Sequence, residues 1–352
     1  ADTLHEDATA TIAGWSFGEN AARCASLGAP MLARALTDAS ARRDPTPAIE
    51  RSQASPGEPR PISTMHLVRH AARRVAHSVR VRLRGNPDAG RQDWFVAIRR
   101  RGSALYRDVP MPPGVQYADP FICEHDGRHW LFMEEIPAYG RDAHIACVEV
   151  REDLTFGAPQ VVLQRPHHLS YPFVFVHEGE YFMIPESGAE GTVKLYRAES
   201  FPGSWTLDRV LFEGHPMRDT VVLRHEGSWF FFSTLHEGIT AETHLFWADD
   251  LRGQWRYHPS NPICADTRRA RGAGALFVRD GRLIRPSQDC AVRYGYAVVL
   301  NEVLELSRTA YRERPVETIS PDWAPGLRGT HTINRNETYE VIDGAPRPLP
   351  TR

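Results

Sequence analysis

The stretch Tyr117–Glu135, YADPFICEHDGRHWLFMEE, decides the fold. Apolar residues flank Asp126-Gly127, a dipeptide that fits a two-residue hairpin turn because both of its positions must adopt positive φ. Three more copies follow, YPFVFVHEGEYFMIPES from Tyr171, DTVVLRHEGSWFFFST from Asp219 and AGALFVRDGRLIRPSQD from Ala273, with a looser fifth, HTINRNETYEVIDG, from His331. Counted from Asp119, the starts are 52, 48, 54 and 58 residues apart, and in the first four the turn glycine falls eight residues after the start. Strand-like phrases such as LYRAESFPGSWTLDRVLFEG and LFWADDLRGQWRYHPSNPI come after the hairpins, so each unit holds about four strands. Such units repeating every ~50 residues predict an all-β, five-bladed β-propeller, because each sheet needs a neighbour on both faces to bury its apolar side chains. WFVAIRRR, residues 94–101, has no repeat of its own and is expected to complete the last blade and close the ring.

The rest of the chain bounds the function. The 352 residues are 41% hydrophobic and 24% charged, a globular composition, and the net charge of −2 offers no global attraction for nucleic acid. Five widely spaced cysteines without a CxxC pair argue against a disulfide framework or a zinc site and for a reducing, cytoplasmic setting. The longest apolar runs are strand-length, so no transmembrane segment is expected. Residues 1–40 carry helical periodicity and read as the helical remnant of a truncated domain, partly disordered. Residues 41–64 are rich in Pro, Ser and charge and read as a linker, and residues 65–92 as a basic surface helix. The propeller is expected over 93–347.

Register predicts chemistry. The first strand of each propeller blade lines the channel, so strand starts ring one mouth, and the second strand ends there too. Counting outward from the turns sets Asp119 opposite Glu134, Tyr171 opposite Glu186, Asp219 opposite Thr234 and Ala273 opposite Gln288. With Arg335-Asn336 as the fifth turn, His331 faces Glu340. Arg268, Arg269 and Arg271 precede the fourth blade. Clustered carboxylates push their pKa values apart, leaving one protonated and one ionised, as glycoside hydrolysis requires.

A resemblance sharpens this. ADPF with GRHWLFMEE behind it is similar to the opening of the five-bladed propeller glycosidases of families 43, 32 and 68. HLSYPFVF, MIPES, RPSQDCAVRYGYA and GTHTIN make residues 117–344 resemble more closely the N-terminal domain of plant glucosamine inositolphosphorylceramide transferases and its bacterial relatives. Some of the latter join the propeller to a formyltransferase-like domain, whose tail residues 1–40 would be. The glycosidase resemblance implies that Asp119 is the base or nucleophile, but Tyr171 and Asp219 stand where family 43 has an Asp and the acid Glu. Glu186 or Glu134 would then supply the acid from the facing strand. In the plant transferases sugar transfer belongs to a separate C-terminal domain, so that resemblance implies no reaction for the propeller itself.

Each candidate has a plain structural competitor. Asp119 before Pro120 suits a turn cap, Glu186 a solvated loop acid, and Asp219 an ion pair with Arg218. Glu134 and Glu135 are adjacent and point to opposite faces, so at most one enters the channel. The pairs His167-His168 and His66/His70 lack an acidic or cysteine partner at fixed offset, so neither metal nor other cofactor is expected. The expectation is a glycan-active propeller, a glycoside hydrolase or transglycosylase with Asp119 as base, Glu186 as acid and Asp219 tuning it. Glu134, Tyr171, Arg271, Gln288, Asp289 and His331 would bind an oligosaccharide or sugar conjugate, anionic if the arginines face the channel. The alternative is a non-catalytic carbohydrate-binding propeller serving a fused or associated sugar-modifying domain.

Overall fold

The computed structural model describes residues 94–137, 142–237 and 240–346. The helical remnant, linker and basic helix expected over 1–92 lie outside them. Five antiparallel sheets follow one another as the blades of an all-β propeller. Blade 1 comprises Val115–His125, Arg128–Pro137, His144–Val150 and Gln160–Leu163. Blade 2 comprises Ser170–His177, Glu180–Glu186, Thr192–Ser200 and Ser204–Glu213. Blade 3 comprises Met217–His225, Ser228–Glu237, Thr240–Ala248 and Arg256–Tyr257. Blade 4 has a broken inner strand, Arg271–Gly272 and Phe277–Arg279, then Arg282–Asp289, Ala297–Leu306 and Tyr311–Ile319. Blade 5 joins both parts of the chain: Phe95–Arg100 pairs with Tyr339–Pro346, beside Leu327–Gly329 and Ile333–Arg335, with Arg107–Asp108 outermost. Among the described residues no helix is long and apolar enough to cross a membrane.

The hairpin turns form for the reason their sequence gives. Asp126-Gly127, Glu178-Gly179, Glu226-Gly227 and Asp280-Gly281 each hold both residues at positive φ, from 46° to 81°, the twist that matches a two-residue hairpin to its strands. Packing between blades is aromatic. Phe132, Phe182, Phe230 and Phe231 are fully enclosed, with contacts across blades such as Phe132 on Trp205 and Phe212 on Phe231. Each such ring contributes roughly 1.5–3 kcal/mol by leaving water.

Register near the mouth differs from a plain count. Glu134 lies opposite Ala118, Glu186 opposite Ser170 and Thr234 opposite Arg218, one residue before Asp119, Tyr171 and Asp219. A β-bulge in each first strand is the cause, since two residues there face one on the partner. In blade 4, Gln288 faces Arg271 rather than Ala273. In blade 5 the turn lies two residues later than Arg335-Asn336, where the Asn336 side chain accepts from the Thr338 and Tyr339 amides. Glu340 consequently faces Arg335, not His331, whose segment meets Asp343 instead.

Candidate functional site

The three bulges aim the mouth. Asp119, Tyr171 and Asp219 hold φ of 50°, 48° and 50°, a left-handed conformation that costs a residue with a side chain about 1–3 kcal/mol. A bulge also frees a backbone amide from the ladder, and neighbouring blades use those amides. Asp343 of blade 5 accepts from the Asp119 amide at 3.2 Å, and Asp119 accepts from the Tyr171 amide at 3.2 Å. Tyr171, fully buried, accepts the Gly274 amide of blade 4 on its hydroxyl at 2.7 Å. These ties link four of the five blades around the axis.

At the centre of the ring Asp119 meets His331 and Asp343. Asp119 Oδ1 accepts from the Thr332 hydroxyl at 2.7 Å and lies 3.7 Å from His331 Nε2, while His331 Nδ1 lies 2.5 Å from Asp343 Oδ2. Asp343 Oδ1 accepts the amides of His331 and Thr332. Burial disfavours a charged imidazole here, but Asp343 and Asp119 outweigh it and hold the His331 pKa at about 9. Trp94 stacks on the imidazole at 4.0 Å between centroids, and Tyr294 stands edge-on at 5.5 Å. Asp119, His331 and Asp343 bring one ligand atom each within 4.8 Å of one another, a spacing that admits a metal ion, although these groups already face each other as an ion-paired triad.

Around this centre each acid has a basic partner. Glu186 accepts from Arg218 at 3.2 Å, Asp219 from Arg271 Nε at 2.7 Å, and Glu134 lies 2.9 Å from His168, while Glu135, on the strand's other face, lies 3.0 Å from His144. Burial pushes the Asp119 carboxyl up to about 7, with His331 pulling it down and Glu134, Asp343 and Asp219 adding to the rise. Burial and the adjacent Asp219 push Glu186 up to about 8 against the pull of Arg271 and Arg218. The hydrogen bond to Glu134 raises the His168 pKa. Near neutral pH the site therefore offers a protonated Glu186 and an Asp119 shared between its two forms, the division of roles that acid/base work uses.

Of the residues expected at the site, Asp119, Glu134, Glu186, Asp219, Arg271 and His331 are brought together by these contacts. Gln288 is buried and donates to the Gly272 carbonyl, and Asp289 caps the Ala291 amide, so both hold the blade 4 connection. Arg268 and Arg269 pair with Asp266, and Arg218 pairs with Glu186 rather than with its neighbour Asp219. Counting from the turns missed Asp343, because the fifth turn was misplaced, and Trp94 and Tyr294, which lie in stretches without repeat. Tyr294, with the Arg271 guanidinium over its ring at 4.8 Å from the centroid, is 42% exposed beside the mouth.

Fold and site together define a class, the five-bladed propellers with a carboxylate-lined mouth. Within it, the chain belongs to the family of the N-terminal domain of glucosamine inositolphosphorylceramide transferase 1, which it matches over residues 93–331. Glucosamine inositolphosphorylceramide transferase 1 of Oryza sativa subsp. japonica is 34% identical over 206 residues, covering 56% of this chain and 28% of the plant protein. That of Arabidopsis thaliana is 34% identical over 203 residues, covering 56% and 26%. The match thus spans between a quarter and a third of these relatives. Among solved structures, a family 117 glycoside hydrolase of Zobellia galactanivorans superposes with a TM-score of 0.49 at 14% identity, covering 71% of this chain and 90% of that one.

Proposed function

We propose that the mouth binds a glycan and acts on its glycosidic bond, with Glu186 as general acid and Asp119 as general base. The observation that carries this reading is a pair of buried carboxyls at one mouth, raised by burial to about 7 and about 8, with the charge of Asp119 adding to the rise at Glu186. Glu186 gives its proton to the glycosidic oxygen as the bond from the anomeric carbon breaks, and Asp119 takes a proton from the incoming water or sugar hydroxyl as the new bond forms. Asp219, pinned by Arg271, keeps Glu186 protonated through its charge. Tyr294 supplies an aromatic contact for a sugar ring, and Arg218, 40% exposed, and His168, 51% exposed, reach its hydroxyls or an acidic substituent.

A second reading has its own observation. Both oxygens of Asp119 already accept hydrogen bonds that tie blades together, which favours a rigid binding site serving a sugar-modifying partner domain of the kind named in the relatives. Incubating wild type, Asp119→Asn and Glu186→Gln with a panel of oligosaccharides and aryl glycosides separates the two. Hydrolysis or transfer by wild type, reduced at least about a hundredfold in each variant, supports catalysis. Saturable binding without turnover by all three leaves only the binding module.

A further inference from the structure

A second site lies between blades 4 and 5. Along Tyr339–Pro346 successive side chains alternate between faces, so Asp343 serves the mouth on one face while Glu340 and Ile342 turn the other way, toward blade 4. There a groove of about 420 Å³ opens, lined on the blade 5 side by Arg99, Tyr106, Arg335 and Glu340, on the blade 4 side by Arg279, and at the connection by Trp323. Its volume falls in the range of roughly 300–1,000 Å³ usual for small-molecule pockets.

The wall carries three arginines and three acids, Glu317, Asp322 and Glu340, but they are spread unevenly. One carboxylate, Glu340, serves two guanidiniums and a phenol: Arg99 Nε at 2.9 Å, Arg335 Nη2 at 2.8 Å and the Tyr106 hydroxyl at 2.6 Å. Arg279, across the groove, pairs with Glu317, which is half exposed, and the remaining acid of the wall, Asp322, is solvent-facing. Burial, with Arg101 and Arg279 as like charges, lowers the Arg335 pKa in spite of Glu340, as expected where positive charge is crowded. Two donors of the wall, Arg335 Nε and the Trp323 indole N–H, are buried with no acceptor among the described residues. Buried N–H groups lose their water and need a partner, so an acceptor supplied by a ligand is the missing element. Tyr106 and Trp323, their rings 5.0 Å apart and tilted by 57°, provide apolar faces beside those donors.

We propose that this groove binds a monosaccharide-sized anion, a sugar ring carrying a carboxylate or a phosphate. Its anionic oxygens meet the guanidiniums, which match either group in a two-pronged fashion, and its ring lies against the aromatic pair. The site is separate from the mouth and does not depend on the mouth's having any reaction.

The test titrates the full chain by calorimetry with glucuronate, glucose 6-phosphate, neutral glucose and inorganic phosphate. One acidic sugar is expected to bind at one per chain at least about tenfold more tightly than glucose, the size of one charge-assisted contact. Trp323→Phe, which keeps the ring but loses the N–H, and Arg279→Gln, at the groove's half-exposed rim, should each weaken that binding by about tenfold. Glu186→Gln should leave it unchanged. Whether glucuronate or glucose 6-phosphate binds tells carboxylate from phosphate. The proposal fails if acidic and neutral sugars bind alike or not at all, if inorganic phosphate binds as tightly as the sugar phosphate, or if Glu186→Gln abolishes binding that the groove variants retain.

Discussion

Blades 1 to 3 and blades 4 and 5 build the same ring by different means. The first three keep a continuous inner strand and insert one bulged residue, Asp119, Tyr171 or Asp219, in a left-handed conformation. The last two break the inner strand into short pieces and let backbone approach backbone. The acids proposed to do chemistry come from the regular blades, as do Asp219 and Arg218, which act on Glu186, whereas Arg271, Tyr294, His331, Asp343 and Trp94 come from the irregular ones. Repetition supplies a scaffold, and departure from it supplies part of the charge balance.

The sharpest way to break the irregular half is at Gly274. Its φ of 140° lies outside the reach of ordinary side chains, and a Cβ there would sit 2.0 Å from the Ile333 carbonyl oxygen. Gly274→Ala should destabilise by more than about 4 kcal/mol or prevent folding, measured by chemical denaturation, since overpacking against backbone cannot be relieved by a rotamer. Tyr171→Phe, which orphans the buried Gly274 amide without a clash, should cost about 1–3 kcal/mol. A Gly274→Ala protein of wild-type stability would show that blades 4 and 5 do not meet this closely.

The next effect lies in pH. Glu186 titrates at about 8 in the fold and at 4.5 in an unfolded chain, so the fold favours its protonated form and loses stability as pH rises between those values. Asp119 acts likewise between 3.8 and about 7. His331, raised from 6.5 to about 9, contributes below 6.5 and loses that contribution as pH climbs through 9. All three slope the same way, so Tm should fall from pH 5 to pH 9. Glu186→Gln should match wild type at pH 5 and exceed it at pH 9, which differential scanning calorimetry at both values would check. Any glycosidic activity should peak between about 7, where Asp119 ionises, and about 8, where Glu186 gives up its proton. A flat stability difference across that range would mean that Glu186 is ionised throughout.

The same contrast explains what could be read from the sequence. Five repeats and four Asp/Glu-Gly turns make the propeller legible, because a two-residue turn fixes register for every residue up to the first bulge. Beyond that point the count slips by one, and nothing in DPF or YPF announces that Asp119 and Tyr171 adopt positive φ. Membership of the mouth survived the slip because a bulged residue stays at the strand's end. Partners did not survive it: the ion pair of Asp219 with its neighbour Arg218, the plain structural competitor, does not form, and Arg218 goes to Glu186 while Asp219 goes to Arg271. Asp343 was hidden by a fifth turn shaped through the Asn336 side chain rather than a glycine. Trp94 lies more than 230 residues from the His331 it stacks on, and only ring closure connects them.

The smallest effect tests the regular half. A Cβ added at Gly127, Gly179, Gly227 or Gly281 meets nothing within 4 Å, so only the positive φ, between 70° and 81°, opposes a side chain there. Alanine at each should cost roughly 1 kcal/mol, the price of a left-handed residue, with m-values unchanged in urea. Four near-equal costs would mean that the hairpin turns are interchangeable and that the blades differ only toward the mouth. An outlier at Gly281, whose blade has the broken inner strand, would carry the irregularity of blade 4 all the way to its far end. Its hairpin is held by only three paired positions, Phe277 with Ile284, Val278 with Leu283 and Arg279 with Arg282. A turn closing so short a ladder has less cooperativity to absorb local strain, so Gly281→Ala is where equality among the four is most exposed to failure.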